Sequence, residues 1–240
     1  MQPTPAPAER QLSSVSPQRL ATERIESRIR PLRERLTPRT AAQVEVEARR
    51  LPAELASHEE GLCLLAMTLL LQNRPGEAEP LLRQALSRNP NHARSLVNLG
   101  GLELKRGDAQ AASATLTRAV RQVPEGSASS LAALTNLALA LLTLGREMDA
   151  AKVVLRIYRA RRDHLEPAKL VQAATTLEAM GNDGEAIEIL LGVYRSVGNI
   201  SLTRHLAELL ERRGDFQRAA VVFRDLFAAE AKAGAGSGGR

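Results

Sequence analysis

The feature that most constrains this chain is self-similarity at a period of 34 residues. Residues 59–92 laid over 93–126 match: Leu62, Leu65-Ala66, Leu69, Ala78, Leu82, Ala85 and Pro90 correspond to Leu96, Leu99-Gly100, Glu103, Ala112, Leu116, Ala119 and Pro124. Three further units, 131–164, 167–199 and 200–233, repeat the pattern with looser spacing. Leu134, Leu137-Ala138 and Leu141 carry it in the third unit, Leu170, Ala173-Ala174 and Leu177 in the fourth, and Leu206-Ala207 and Leu210 in the fifth. Leu62, Leu65, Ala66 and Leu69 fall at i, i+3, i+4 and i+7, one face of a helix. Gly107, Gly145, Gly181 and Gly214 each stand five residues ahead of Ala112, Ala150, Ala186 and Ala219. Glycine there accepts the positive φ that ends a first helix, and alanine lets a second helix approach it closely. A helix pair of this size cannot bury its apolar face alone, so successive pairs must stack.

These residues resemble the tetratricopeptide repeat family, whose pattern W-x2-L-G-x2-Y, then A-x3-F, then A and P, spans one helix–turn–helix unit. Leucine mostly stands where that pattern has aromatics. The resemblance covers about 59–233. It implies an all-α fold, a right-handed α-solenoid of about five such repeats. It further implies a protein that binds other proteins and carries out no reaction of its own: an adaptor, scaffold or chaperone. The family includes bacterial secretion and pilus-assembly factors, and that is the setting the resemblance suggests.

Outside the array, residues 1–16 read as a disordered Pro/Ser-rich arm and 17–58 as an N-terminal helical cap or degenerate repeat. In the cap, Leu20, Ile25, Ile29, Leu32 and Leu36 share one side of a helix, and Pro31, Pro38 and Pro52 are expected to break it into short pieces. Residues 234–240 read as a flexible tail. No apolar stretch reaches the roughly 18–20 residues that span a bilayer, and the start lacks the pattern of a secretory signal, so the expected location is cytoplasmic.

Composition excludes several chemistries. With no Trp, two Tyr and three Phe, the chain lacks the stacking platforms of a single-strand nucleic-acid binder. The arginine-rich stretch 19–39 and the cluster Arg156, Arg159, Arg161 and Arg162 read as solvated helix faces, so nucleic acid is disfavoured as a partner. The one cysteine, Cys63, lies in an apolar run and behaves as a small buried hydrophobe. His58, His92, His164 and His205 lack metal-ligand spacing and read as loop or surface residues. Glu59-Glu60 and the pair Glu185 and Glu188 read as exposed helix-face charge. No cofactor, metal or catalytic constellation is expected.

Surplus hydrophobicity is the informative signal. In the first unit Leu62, Leu65, Ala66 and Leu69 suffice for packing, yet Cys63, Leu64, Met67, Leu70 and Leu71 make the helix apolar nearly all round. Leu139 and Leu142 are surplus in the third unit. The resemblance puts first helices on a concave surface, where Met67, Leu70, Leu71, Leu104, Leu139 and Leu142 would form an apolar floor for a peptide or helix of another protein. Asn98 and Asn136 occupy the position where family members grip a ligand backbone, and Arg94 would hold a carboxylate. Two occupants of the same surface stay open: the 18–57 helices in cis, or a second copy in a homo-oligomer.

Overall fold

A computed structural model describes residues 17–237. The arm read over 1–16, the last tail residues 238–240 and the side chain of Leu20 lie outside the described residues. Among the described residues thirteen helices follow one another without a strand. Three precede the array: α1 (Pro17–Glu34), α2 (Ala41–Arg49) and α3 (Ala53–Ala56). Five pairs follow: α4 (Glu59–Leu71) with α5 (Pro75–Arg88), α6 (Ala93–Lys105) with α7 (Ala109–Gln122), α8 (Ala128–Thr143) with α9 (Glu147–Ala160), α10 (Pro167–Ala179) with α11 (Asp183–Val197), and α12 (Ile200–Arg212) with α13 (Phe216–Ser237).

One turn closes every pair. The amide of Arg74 donates to the carbonyl of Leu69 (2.9 Å), Asp108 to Glu103 (3.0 Å), Arg146 to Leu141 (2.8 Å), Asn182 to Leu177 (2.8 Å) and Asp215 to Leu210 (2.9 Å). This bond across six residues satisfies a helix-end carbonyl and requires a left-handed residue inside the turn. Gly107, Gly145, Gly181 and Gly214 supply it with φ between 69 and 85°. The first unit has no glycine there. Asn73 takes the role at φ 57°, the substitution asparagine tolerates best.

The chain divides into two compact units after Leu102. In the first, Ile29 and Leu32 of α1, Val44 and Ala48 of α2 and Leu64 of α4 form one buried cluster. Cys63, Ala66 and Leu69 of α4 join a second cluster with Ala78 and Leu82 of α5 and Leu99 of α6. At Gly61 a Cβ would lie 2.0 Å from the Leu55 carbonyl oxygen, so the α3–α4 connection sits where only glycine fits. Pro31 does not break α1, contrary to the sequence expectation. It falls in the last turn, and the helix runs on only three residues beyond it. Pro38 and Pro52 do lie between helices.

In the second unit one continuous cluster runs from Ala112 to Val222. The second helix of each pair packs on the first helix of the next: α7 on α8, α9 on α10 and α11 on α12. Leu116, Leu134, Ile157, Leu170, Leu177 and Ile189 are almost wholly enclosed, each worth roughly 1.5–3 kcal/mol by burial. The Tyr158 ring is pressed against Gly192, where a Cβ would come 1.7 Å from the phenolic oxygen. The Tyr194 hydroxyl donates to Asp225 Oδ2 at 3.0 Å, linking α11 to α13. Helix α13 continues through residues 234–237, which the composition had marked as tail. No helix among the described residues is long and apolar enough to cross a membrane.

Candidate partner-binding site

The second unit contains an apolar recess of about 220 Å³ between α8, α9 and α10. Helix α8 turns Leu131, Leu134, Leu137 and Leu141 into the core. That leaves Leu139 and Leu142 on another face, where they are 53% and 44% exposed. Both line the recess, together with Ala150, Ala151, Val154 and Ile157 of α9, Ala173 of α10 and Leu165 of the connection. Thr135, Glu147, Lys169, Gln172 and Thr176 supply the polar lining.

The recess has a sequence cause. At the position of Ala173 the other four repeats carry Leu65, Leu99, Leu137 and Leu206. An alanine in place of a leucine removes three carbons from a packed layer, and Ala173 lines the resulting hollow. The Ala173-Ala174 pair was visible in the sequence as a fit to the repeat pattern, but only alignment of all five units exposes it as a missing side chain.

The remaining candidate residues fall in different surroundings. Met67 and Leu70 are half-buried against the α4–α5 cluster, whereas Leu71 is 42% exposed. Leu104 packs, half-buried, against the core of the second unit. Asn98 directs its amide to the carbonyl of Arg94 at 2.8 Å and reaches the Cys63 sulfur at 3.9 Å. Asn136 is half-buried, and no side-chain hydrogen bond to it occurs among the described residues. Leu139, Leu142 and the half-buried Asn136 thus share α8, while the other named residues lie on α4 and α6.

Arg94 does hold a carboxylate, but one of its own chain. Its Nη1 lies 2.7 and 3.0 Å from the two oxygens of Glu60. Arg33 of α1 adds a bond at 3.1 Å, and His92 Nε2 lies 3.2 Å away. Glu60 and His92 therefore depart from the exposed roles expected of them. Glu60 is largely covered, and His92 is 7% exposed with Nδ1 2.8 Å from Ser95 Oγ. Burial pushes the Glu60 carboxyl up, but the His92 imidazole beside it and the charges of Arg94 and Arg33 outweigh it and hold its pKa down at about 2. Burial pulls the imidazole down, but the Cys63 sulfur and Glu60 push it up to about 9. Cys63 itself is buried, as expected. The periodicity of α4 gave no sign of this cluster, because its members are gathered from α1, α4, the α5–α6 connection and α6.

The end of the second unit is polar. Glu178 of α10 accepts from His205 Nε2 at 2.6 Å and from Arg212 at 3.0 Å. Of the other histidines, His58 caps α4 through Nδ1 and His164 is exposed. No group of three metal-binding side chains occurs among the described residues.

Residues 69–134 match the family model described as tetratricopeptide repeat. A solved structure described as the functional characterization of Pseudomonas aeruginosa pilF is 20% identical, with 85% of this chain and 91% of that chain covered at a TM-score of 0.58. YrrB, described as a TPR protein with an unusual peptide-binding site, is 14% identical, with 74% and 89% covered at a TM-score of 0.51. The Naa15/Naa10 structure bound to HypK-THB is 17% identical; 84% of this chain but 31% of that chain is covered, at a TM-score of 0.59. No curated protein sequence matches the chain. Likeness at these identities speaks to fold, and it agrees with the five helix pairs and their common turn. The chain has the fold of the tetratricopeptide-repeat proteins, and part of it, residues 69–134, matches that family's model.

Proposed function

We propose that the protein is a non-catalytic adaptor that holds a segment of another protein by anchoring an apolar side chain in the α8–α10 recess. The observation that carries this reading is the pair Leu139 and Leu142, exposed on the wall of a hollow that a missing leucine leaves open. Two exposed leucines beside a concave apolar surface favour interaction over solvation. Size narrows the ligand. A cavity of about 150 Å³ binds benzene, and drug-sized ligands use about 300 Å³ or more. At about 220 Å³ the recess suits one branched or aromatic side chain rather than a nucleotide cofactor. Asn136, one turn from Leu139, has a carboxamide able to bond a backbone peptide unit beside that anchor.

The setting we propose is cytoplasmic, beside a bacterial secretion or pilus-assembly machine. Fold does not select a pathway, so the partner must name it. The test is affinity capture from native lysate at matched salt, comparing wild type with Leu139→Glu and Ala173→Leu. The first puts a charge on the wall, and the second refills the hollow with the residue the other repeats use. Both variants should keep wild-type helicity by circular dichroism and lose the same protein. Retention of every captured protein by both folded variants would remove the recess from the function. Met67 and Leu70 are poor probes, since they are half-buried and their substitution also perturbs packing.

A further inference from the structure

The recess on α8–α10 is a trough with two unlike ends. Thr135, Leu139 and Leu142 of α8 share one face at i, i+4 and i+7, and Lys169, Ala173 and Thr176 of α10 share another at the same spacing. Helix α9 is the floor and runs against both walls, so its first residue, Glu147, falls at the end with Leu142 and Thr176. Lys169 falls at the opposite end with Leu165 and with Thr135, whose hydroxyl lies 3.3 Å from His164 Nε2. Lys169 and Glu147 are both exposed, and neither side chain makes an ion pair or hydrogen bond among the described residues. Arg146, beside Glu147, is held instead by Asp149 at 2.6 Å. The α10 wall belongs to the fourth repeat alone. At the position of Lys169 the other repeats carry Gly61, Ser95, Ala133 and Leu202, the first three of them buried. At the position of Thr176 they carry Thr68, Leu102, Ala140 and Leu209, all buried. A face packed inward elsewhere is open here, and it carries a cation.

We infer that the trough takes an extended segment of another protein, with an acidic residue two positions to one side of its apolar anchor and a basic residue two positions to the other. The inference rests on the recess being the binding site and names the chemistry of what it binds. Lys169 and Thr176 stand seven residues apart, about 10 Å along a helix. An extended chain rises about 3.3 Å per residue and points alternate side chains the same way. With the anchor beside Ala173, the side chains at i−2 and i+2 face the trough about 7 Å to either side, within reach of its two charged ends. A carboxylate at the Lys169 end and a cation at the Glu147 end satisfy both, whereas the opposite arrangement sets like charges together at each end. The ligand is extended rather than helical because of Asn136. Its carboxamide has no side-chain hydrogen bond among the described residues, and only an extended backbone has N–H and C=O groups left to meet it.

The probe is a phage-displayed library of random heptapeptides selected on the full chain, with the enriched peptides then titrated by fluorescence anisotropy. Wild type should enrich an apolar residue with an acid two positions to one side and a base two positions to the other. Lys169→Glu combined with Glu147→Lys, at two exposed positions, should keep wild-type helicity and weaken those peptides about tenfold. The same variant should select peptides with the two charges exchanged. Ala173→Leu and Leu139→Glu should each abolish binding of both sets. Peptides lost on Ala173→Leu but indifferent to the charge reversal overturn the inference and leave the recess as the site. Peptides kept by both Ala173→Leu and Leu139→Glu overturn the inference and the recess together. Charges enriched three or four positions from the anchor make the ligand a helix and overturn the extended form. A library that yields no peptide overturns it as well. So does a wild-type chain that sediments as a dimer where Ala173→Leu is a monomer, which gives the trough to a second copy.

Discussion

Helices α4 and α8 look alike in composition: EEGLCLLAMTLLL and ASSLAALTNLALALLT are both apolar on nearly every side. Their surroundings differ. Helix α4 is covered by the N-terminal helices, with Leu64 at 1% exposure against Ile29, Leu32 and Val44. An ion cluster pins α1, the α5–α6 connection and the start of α6 to its first turn through Glu60. On helix α8, among the described residues, Leu139 and Leu142 stay in contact with solvent beside a hollow. Equal surplus in two helices thus has two meanings. In one it is the seat of a cap, and in the other it is a surface left open.

The comparison predicts a ranked set of outcomes. The largest is at the covered helix: Leu64→Ala should cost about 2–5 kcal/mol of stability, read from urea unfolding. Next comes the tightest contact of the second unit. Gly192→Ala drives a methyl into Tyr158 and should cost about 1–3 kcal/mol by the same measurement. Tyr158→Phe in the Gly192→Ala background should recover only part of that, because the ring carbon still lies 2.6 Å from the new Cβ.

The ion cluster should give the first unit a pH signature. His92 has its folded value raised from 6.5 to about 9, so its contribution is full below pH 6.5 and is lost as pH rises through about 9. Glu60 has its value lowered from 4.5 to about 2, so its contribution is full above pH 4.5 and is lost as pH falls toward about 2. Urea midpoints should therefore plateau between pH 4.5 and 6.5 for these two groups and decline on either side. His92→Gln should flatten the alkaline decline, and an unchanged alkaline slope in that variant would count against the cluster. The smallest effect belongs to the open helix. Leu139→Ala should change stability by no more than about 0.5 kcal/mol. A loss there as large as that of Leu64→Ala would erase the distinction between the two helices.

Much of the architecture was legible because it repeats. Five copies of one pattern average out the ambiguity of each, so the helix pairs and the left-handed turns at Gly107, Gly145, Gly181 and Gly214 followed from spacing alone. Asn73 was missed in the first unit because a glycine was sought where asparagine also fits. Arg94 has the chemistry to hold a carboxylate, but its sequence position gives no means of seeing that Glu60, 34 residues earlier, is the carboxylate it holds. Leu139 and Leu142 were legible as surplus, since a helix needs only one stripe for its core.

What the sequence determined by itself was periodic: which residues form the helix pairs, where the glycine turns inside four of them fall, and that the units must stack to hide their leucines. The tertiary structure decided which apolar faces remain open. That depends on non-periodic facts, such as which helices settle on α4, that Ala173 stands beside Leu139 and Leu142, and that Tyr158 and Tyr194 are covered where Phe227 is not. Local pattern fixes a side chain's direction from its own helix. What meets it there is set by residues tens of positions away, through packing that no single helix encodes.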